Sequence, residues 1–249
     1  MLRDADKREP TSRYTEPPVD CDNVISFEDA LTQERELLAN VGEHNFGAQF
    51  LVWRTERALI VPCGMPNRAF FGEAVSALNQ QGWPVYERDT GGDVTPQMPG
   101  VINVSLAFRT EKSTRSIQQS YHRLIEPIAT FLRVEMGLDT TVASVPGSFC
   151  DGAYNIVAGS RKLGGTAQRW RLHRDNDETC SVLAHVAILC SVDLEPLMAT
   201  INEFYARCAI AKTVDVDKHV TLEEALGTGC PRTSEIAARI ADYLSSRRL

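Results

Sequence analysis

The most constraining feature of the sequence is a run of strict alternation, VINVSLAF, at residues 101–108. The large apolar residues at every second position fall on one face of an extended chain, whereas Asn103 and Ser105 fall on the other. This pattern predicts a strand whose apolar face packs on a core. Its polar face has two interpretations, a pocket lining or the solvated face of a sheet.

Short apolar runs that suit strands are interspersed with segments of helical period along most of the chain. Helices are predicted from Ser26, from Pro66–Asn67, and over 116–136, 194–208, 221–226 and 234–246. Strands are predicted over 50–53, 58–63, 84–88, 101–108, 141–145, 154–158 and 182–190, with a further arm over 161–171. This order predicts an α+β fold, with a mixed, mainly antiparallel sheet flanked by helices.

Three helices carry more detailed expectations. Ser26 and Asp29 are spaced as a weak capping box at the start of the first helix. The second is expected to start at Pro66–Asn67 and to carry Phe70, Phe71, Ala74, Val75 and Leu78 on one face. Pro127 lies inside the predicted helix 116–136, so a kink or a break is expected there.

Composition describes an ordinary globular protein. The 249 residues include 43% apolar residues and carry a net charge of −7, which argues against a general nucleic-acid binder. Residues 1–22 are polar and contain proline, so we expect a poorly ordered arm before a single catalytic-type domain at 23–249. The chain shows no signal peptide and no apolar run long enough to span a membrane, which indicates a cytoplasmic protein.

The seven cysteines show no pattern of a disulfide framework or a zinc site, because their number is odd and no CxxC occurs. Cys190 and Cys208 lie in apolar elements and are expected to be structural. Cys150 lies in PGSFCDG, where turn residues flank it. Either it is a buried structural cysteine or it is a reactive thiol.

A predicted hairpin places Cys150 and Lys162 on opposite arms, in the stretch GSFCDGAYNIVAGSRKLGGTAQRWR. A thiol near a cation ionises more easily, and the thiolate is the nucleophilic form of cysteine. The alternative is a core cysteine and a surface lysine with no connection. The histidines show no metal-ligand spacing, and His185, in mid-strand, is expected to be a hydrogen-bonded core residue.

A second candidate motif is ERDTGGDV at residues 87–94, directly after a predicted strand. The adjacent glycines Gly91 and Gly92 allow either a plain turn or a close approach of the backbone to a ligand, with Arg88 at the rim.

Taken together and in order, these motifs resemble the biotin/lipoate protein ligase and lipoyl/octanoyl transferase superfamily. The resemblance covers roughly residues 25–210, and its most specific part is the block from Gly159 to Gln168. It is closest to the cysteine-dependent octanoyl/lipoyl amidotransferases, since Gly147 to Cys150 and Gly100 to Leu106 match their motifs. The resemblance implies the catalytic-domain fold of that superfamily.

The resemblance also implies roles for individual residues. Cys150 would carry the acyl group as a thioester, and Lys162 would lie by the acyl carbonyl. The acyl or lipoyl group would be bound by Arg88, Gly91, Gly92, Asn103, Gly165, Thr166 and Ala167. No cofactor or metal would be required. The implied partners are lipoyl-domain proteins, of the glycine-cleavage H protein or 2-oxoacid dehydrogenase E2 type, and acyl carrier protein as a possible donor, with no nucleic acid and no membrane.

Two departures bear on the choice between transfer and ATP-dependent ligation. Asp93 stands where lipoate ligases carry a third glycine, and a carboxylate there would repel a phosphate. Too few residues follow Cys208 for the accessory domain that many ligases add. Both favour transfer. The alternatives are a ligase that uses ATP and Mg²⁺, and a non-catalytic binder of lipoyl domains.

A docking face for an acidic partner is a further expectation. Arg161, Arg169, Arg171 and Arg174 cluster in sequence around the lysine motif. They either form a positive face that attracts the partner or are solvated arginines at the ends of strands.

Overall fold

The computed structural model describes residues 24–43, 47–172 and 178–247. The helices are α1 (Phe27–Glu43), α2 (Phe71–Gln80), α3 (Ile117–Met136), α4 (Leu194–Arg207), α5 (Leu222–Leu226) and α6 (Thr233–Ser245). The strands are β1 (Val24–Ile25), β2 (Gln49–Thr55), β3 (Ala58–Pro62), β4 (Val85–Arg88), β5 (Thr95–Gln97), β6 (Val101–Glu111), β7 (Thr141–Ala143), β8 (Asn155–Ala158), β9 (Arg161–Leu172) and β10 (Thr179–Leu189). The expected arm at 1–22 and Arg174 lie outside the described residues.

Two sheets organise the part of the chain that the structure describes. The larger has the order β1-β2-β6-β10-β9-β8-β7 and is antiparallel except for its β1–β2 edge. The smaller has the order β4-β3-β5, with β3 parallel to β4 and antiparallel to β5. Helices pack on these sheets, so the predicted α+β fold with a mainly antiparallel sheet is confirmed.

Alternation along β6 decides which layer covers each face of the large sheet. The residues at 102, 104, 106 and 108 join a cluster with α3 and α6. The opposite face of the same sheet lies under α1, α2, α4 and the small sheet. Both faces of the large sheet are therefore covered by other layers.

The helices and the small sheet that cover this second face also cover the polar residues of β6. Asn103 is 3% exposed and Ser105 is fully buried. The solvated-face interpretation is therefore wrong, because α1 and the small sheet exclude water from these positions. The polar face of β6 instead lies at a buried cleft.

The start of α1 follows the sequence pattern, whereas the start of α2 does not. The Ser26 hydroxyl accepts from the Asp29 amide and donates to its carboxylate, so the predicted cap of α1 is confirmed. The second helix begins only at Phe71, because Met65–Asn67 form a separate 3-10 turn, and Phe70 is an exposed residue with a left-handed backbone. The expected start at Pro66–Asn67 is wrong, and so is the place of Phe70 on the apolar face of the helix.

Other boundaries lie close to the sequence patterns. Helix α3 continues through Pro127 without a break, and Ser116 caps it by accepting from the Gln119 amide. Cys190 and Cys208 are buried as expected of structural cysteines. Within the described residues no helix is both long and apolar enough to cross a lipid bilayer.

Candidate active site

The site is built around Cys150, which lies in the loop between β7 and β8. Its φ is 41°, which is unusual for a residue with a side chain and stores local strain. The Asp151 carboxylate fixes this loop by accepting from the Val145 amide at 2.8 Å and the Asn155 side chain at 2.9 Å. The loop therefore holds one strained cysteine in a defined position.

The Cys150 sulfur has polar neighbours even though the residue is only 8% exposed. The Asp93 backbone amide donates to Sγ at 3.1 Å, and Nη2 of Arg88 lies 3.7 Å away. Burial alone raises the pKa of this thiol, but the positive charges of Arg88 and Lys162 and the Asp93 amide outweigh it and lower the pKa. The arrangement favours a thiolate.

Arg88, the last residue of β4, ties the loop after that strand to the cysteine. Its guanidinium donates to the Thr95 hydroxyl at 2.9 Å and to the carbonyls of Gly91 and Asp93 at 2.9 and 2.8 Å. Arg88 is itself buried, so its charge acts on Cys150 with little screening by water.

Lys162 lies in β9 with no exposed surface. Its Nζ donates to the carbonyls of Phe149 and Cys150 at 2.5 and 3.1 Å and lies 4.2 Å from the centre of the Phe149 ring. Burial lowers the pKa of Lys162 to about 8, although the negative charges of Cys150 and Asp151 oppose the shift. The hairpin of β8 and β9 thus brings Lys162 next to Cys150, as predicted. The Lys162 ammonium contacts the backbone carbonyls at the cysteine.

His219 completes this support and was not predicted. Its ring stacks on Phe149 with centroids 5.1 Å apart, and Nε2 accepts from the Phe149 amide at 3.1 Å. Nδ1 therefore carries the proton and donates to the Asp215 carbonyl at 2.9 Å. Burial and the Lys162 charge lower the pKa of His219 to about 4, so the ring is neutral at neutral pH. No spacing in the sequence linked it to Cys150.

The two glycines of the loop after β4 have different roles. A Cβ at Gly92 would lie 2.8 Å from both the Cys150 sulfur and Nη2 of Arg88, and its φ is 103°. A Cβ at Gly91 would meet no atom within 4 Å. The close approach expected of this motif therefore belongs to Gly92, whose backbone lies against the cysteine.

A narrow cleft opens in front of Cys150. It is lined by Phe27, Leu31, Glu34, Trp53, Ile60, Arg88, Thr95, Gln97, Asn103, Phe149, Cys150, Gly165, Thr166, Ala167, His185 and Ala187. This lining contains six of the nine predicted site residues. The other three, Gly91, Gly92 and Lys162, do not line it. Lys162 is buried, whereas the two glycines lie in the exposed loop after β4.

Two groups of hydrogen-bonded polar side chains lie beside the cleft, and each includes one residue from the polar face of β6. Asn103 and Gln97 exchange reciprocal amide hydrogen bonds of 2.8 and 2.9 Å. The buried Glu34 accepts from the Ser105 hydroxyl at 2.5 Å and lies 3.1 Å from Nδ1 of His185. The expected hydrogen bonding of His185 is thus confirmed, but the residue lines the cleft as well.

Glu34 was missed, although the sequence contains a signal for it. It lies seven residues after Phe27, four after Ala30 and three before Leu37, all of which are buried in α1. Helical periodicity therefore places a carboxylate on the apolar face of α1, where a partner is required. Burial raises the pKa of Glu34, but His185 and Ser105 outweigh it and hold the pKa low.

Asp93 also has a partner that the sequence did not reveal. Nζ of Lys212, in the segment after α4, lies 2.5 Å from Oδ2 of Asp93. Oδ1 accepts from the Val94 amide at 2.7 Å. The carboxylate is therefore neutralised by a lysine.

Two of the four arginines expected to form a docking face are engaged within the chain. Arg161 binds Glu224 at 2.6 Å, and Arg169 binds Asp89 at 2.6 Å. Arg35 of α1 also binds Asp89, at 3.2 Å. These ion pairs reduce the positive field available to a partner at this face.

The chain matches one known protein family over most of its length. Residues 26–245 match the family model of the lipoyl protein ligase A/B catalytic domain. The chain belongs to this family. The match covers most of the chain, including Cys150, Lys162 and both loops that meet at the thiol.

Relatives within the family include proteins named as octanoyltransferases. An uncharacterized protein of Cupriavidus necator is 33% identical over 87% of this chain and 89% of its own length. Proteins of Geobacillus kaustophilus and Kyrpidia tusciae named octanoyl-[GcvH]:protein N-octanoyltransferase are 29% and 28% identical over 61% and 66% of this chain. The chain spans only 52% and 58% of the length of these two octanoyltransferases.

Solved structures with a similar fold include lipoate-protein ligases. Lipoate-protein ligase A bound with ATP superposes with a TM-score of 0.59 at 18% identity, covering 86% of this chain and 81% of the ligase. A bipartite lipoate protein ligase from Thermoplasma acidophilum, studied with its E2 lipoyl domain, gives 0.57 at 17% identity, covering 86% and 78%. At this identity the likeness establishes the shared fold.

Proposed function

We propose that this chain is an acyltransferase that moves an octanoyl or lipoyl group, through a thioester on Cys150, onto the lysine of a lipoyl domain. The observation that carries this proposal is the environment of the Cys150 sulfur. It has a hydrogen-bond donor at 3.1 Å, a lowered thiol pKa and a position on the wall of a cleft. The octanoyltransferase relatives support the same chemistry.

In the first step, the Cys150 thiolate attacks the carbonyl carbon of an acyl thioester or of an acyl-lysine amide. A carbon–sulfur bond forms, and the bond to the leaving thiol or amine breaks. The leaving group takes up a proton, equivalent to the one lost from the Cys150 thiol. Gly165, Thr166 and Ala167 line the cleft, and we assign their backbone amides as the candidates for stabilising the oxyanion.

In the second step, the neutral amine of an acceptor lysine attacks the thioester. A carbon–nitrogen bond forms, the carbon–sulfur bond breaks, and the Cys150 thiolate is released. The acceptor lysine loses two protons in all. One goes to solvent when its ammonium becomes the neutral amine, and the other leaves the nitrogen as the amide forms and goes to the sulfur or to solvent. The positive charges of Lys162 and Arg88 favour this leaving group because they stabilise the thiolate.

The acyl chain is assigned to the cleft in front of Cys150. Phe27, Leu31, Trp53 and Ile60 supply apolar surface there. The loop of Gly91 and Gly92, tied down by Arg88, closes the end of the cleft at the sulfur, and Asn103 contributes a polar contact to the wall. A thioester donor makes transfer favourable without ATP, so no cofactor is required.

The partners we assign are lipoyl-domain proteins, of the glycine-cleavage H protein or the 2-oxoacid dehydrogenase E2 type. The relatives named octanoyl-[GcvH]:protein N-octanoyltransferase and the archaeal ligase studied with its E2 lipoyl domain support this class. Acyl carrier protein is a candidate donor, and residues 23–249 act as one catalytic domain in the cytoplasm.

The second candidate is an ATP-dependent lipoate ligase, which the ATP-bound structural neighbour favours. In that case Lys162 would contact an acyl-adenylate, and Cys150 would not take part. Lys212 weakens one argument against this candidate, because it neutralises the Asp93 carboxylate that would otherwise repel phosphate.

A transfer assay separates the two candidates. An apo lipoyl domain is incubated with the enzyme in two mixtures, octanoyl-acyl carrier protein or an octanoylated H-type domain without ATP, and free octanoate with ATP and Mg²⁺. Acyl transfer predicts modification of the domain in the first mixture, loss with Cys150→Ser and no loss with Cys63→Ser, a change at an exposed cysteine. Modification only in the second mixture, unaffected by Cys150→Ser, would establish the ligase.

A further inference from the structure

The Asp93 backbone amide donates the shortest hydrogen bond found at the Cys150 sulfur, so whatever holds Asp93 in place governs the thiol. Several contacts among the described residues fix Asp93. Its carbonyl accepts from Arg88 at 2.8 Å, its Oδ1 accepts from the Val94 amide at 2.7 Å, and its Oδ2 binds Lys212 at 2.5 Å. The ion pair with Lys212 comes from outside the loop and its own strand, and the Tyr205 side chain of α4 also interacts with the carboxylate.

We propose that Lys212 is a positioning residue, which binds the Asp93 carboxylate and thereby holds the Asp93 amide against the Cys150 sulfur. Lys212 acts through Asp93, since its own ammonium contacts the carboxylate rather than the sulfur. The inference rests on the proposed function only in treating Cys150 as the nucleophile.

The segment that carries Lys212 is well placed for this task, because it also supports the cysteine loop. The Asp215 amide donates to the Gly147 carbonyl at 2.9 Å, and His219 accepts from the Phe149 amide. The Asn202 side chain of α4 anchors the segment through the amide and carbonyl of Val214, at 2.7 and 2.9 Å. One stretch of chain therefore fixes both the donor loop and the sulfur loop.

The ion pair is sheltered enough to be persistent. The side chains of Lys212 and Asp93 are 36% and 28% exposed, and the Asp93 carboxyl is ionised. Its burial raises the pKa, but the Lys212 hydrogen bond and the Val94 amide hold the pKa below its ordinary value. A half-buried pair with a short contact restrains the loop more than an exposed pair does.

The test is the pH dependence of Cys150 alkylation by iodoacetamide, followed on the peptide that contains Cys150 by mass spectrometry. Lys212→Met and Asp93→Asn each break the ion pair that holds Asp93 from outside its loop, so the thiol pKa is expected to rise by about one unit, with alkylation at pH 7 slowed on the order of tenfold. The double variant is expected to match the single variants, because both changes remove one contact.

Asp93→Asn separates positioning from simple electrostatics. Removing a negative charge near a thiolate would by itself lower the thiol pKa, whereas losing the amide hydrogen bond raises it. The control is Arg207→Met, which breaks the exposed pair with Glu203 on α4 and is expected to leave the alkylation profile unchanged.

A lowered or unchanged Cys150 pKa in Asp93→Asn, or an unchanged one in Lys212→Met, would overturn the proposal. If Asp93→Asn does not fold, as judged by circular dichroism, Lys212→Met at a partly exposed position decides the matter. Alkylation needs no acyl donor, so its outcome is separate from that of the transfer assay.

Discussion

At the scale of single residues, the reactivity of the site depends on the atoms packed directly around the Cys150 sulfur. Cys150 adopts a left-handed backbone, Lys162 binds the carbonyls beside it, and Asp93 donates to its side chain. Each of these contacts acts on either the position of the sulfur or its ionisation. Small changes at these residues are therefore expected to have large effects on reactivity.

Gly92→Ala is expected to reduce acyl transfer on the order of a hundredfold. The new Cβ would lie 2.8 Å from the Cys150 sulfur, and the φ of 103° disfavours any side chain. The loop must shift, which separates the Asp93 amide from the sulfur. Gly91→Ala is the matched control, since its Cβ meets no atom within 4 Å and transfer is expected to stay within about twofold. Equal losses in the two variants would contradict the assigned role of Gly92.

His219 predicts a specific dependence of stability on pH. In the folded protein its pKa is about 4, against an ordinary 6.5, so between these values the unfolded chain binds more protons. The free energy of unfolding therefore falls as pH drops from about 6.5 to about 4, by up to about 3 kcal/mol from this group. Above pH 6.5 the ring is neutral in both states and contributes no slope.

His219→Gln tests this dependence by urea unfolding at several pH values. Its side chain can still accept from the Phe149 amide, but it does not titrate. As the pH falls across this window, the free energy of unfolding is expected to decrease less in the variant than in the wild type, each measured relative to its own value at pH 7. Parallel pH profiles for the two proteins would show that His219 is not held neutral.

At the scale of elements, the loop between β4 and β5 is fixed from three directions. Asp89 binds Arg35 of α1 and Arg169 of β9, Thr90 lies 3.3 Å from Nε2 of His185, and Asp93 binds Lys212. These contacts hold the loop over the cysteine between a helix, a strand and the segment after α4.

Asp89→Asn is expected to loosen this loop while leaving the rest of the fold intact. Each exposed ion pair contributes about 0–1 kcal/mol, so the loss of two affects local opening more than global stability. Hydrogen exchange at residues 90–93 is expected to accelerate severalfold, with little change in the strands of the large sheet. Glu203→Gln, which breaks an exposed pair on α4, is the control. Unchanged exchange at 90–93 in Asp89→Asn would mean that the pairs do not restrain the loop.

The sequence predicted elements better than it predicted contacts between them. Periodicity located β6, α3 and α4 because each buries one regular face. It misplaced the start of α2, since a 3-10 turn and the left-handed Phe70 follow local geometry that apolar spacing does not encode. It could not find Lys212 or His219, because their partners lie far away in sequence and meet them only after folding.

At the scale of the whole molecule, the large sheet separates the core from the site. One face packs on α3 and α6, and the other carries Asn103, Gly165 and His185 at the cleft. The apolar cluster under α3 and α6 therefore lies on the opposite side of the sheet from the cysteine, whereas the clusters under α1, α2 and α4 lie on the same side as the cleft.

Ile128→Ala tests this separation. Ile128 is buried in the cluster beneath α3, and its truncation is expected to cost about 2–5 kcal/mol of unfolding free energy. Because the sheet lies between this cavity and the thiol, the Cys150 alkylation profile of the folded protein is expected to match the wild type. A shifted thiol pKa, measured at a temperature where the variant is folded, would show that the two faces are coupled.

The most direct test of the central claim is intact-mass spectrometry of the protein after brief incubation with an octanoylated donor and no acceptor. The account predicts a gain of one octanoyl group that hydroxylamine removes, that persists in Cys63→Ala and that is absent in Cys150→Ala. An unmodified wild-type protein, or an adduct that survives in Cys150→Ala, would contradict acyl transfer through this sulfur.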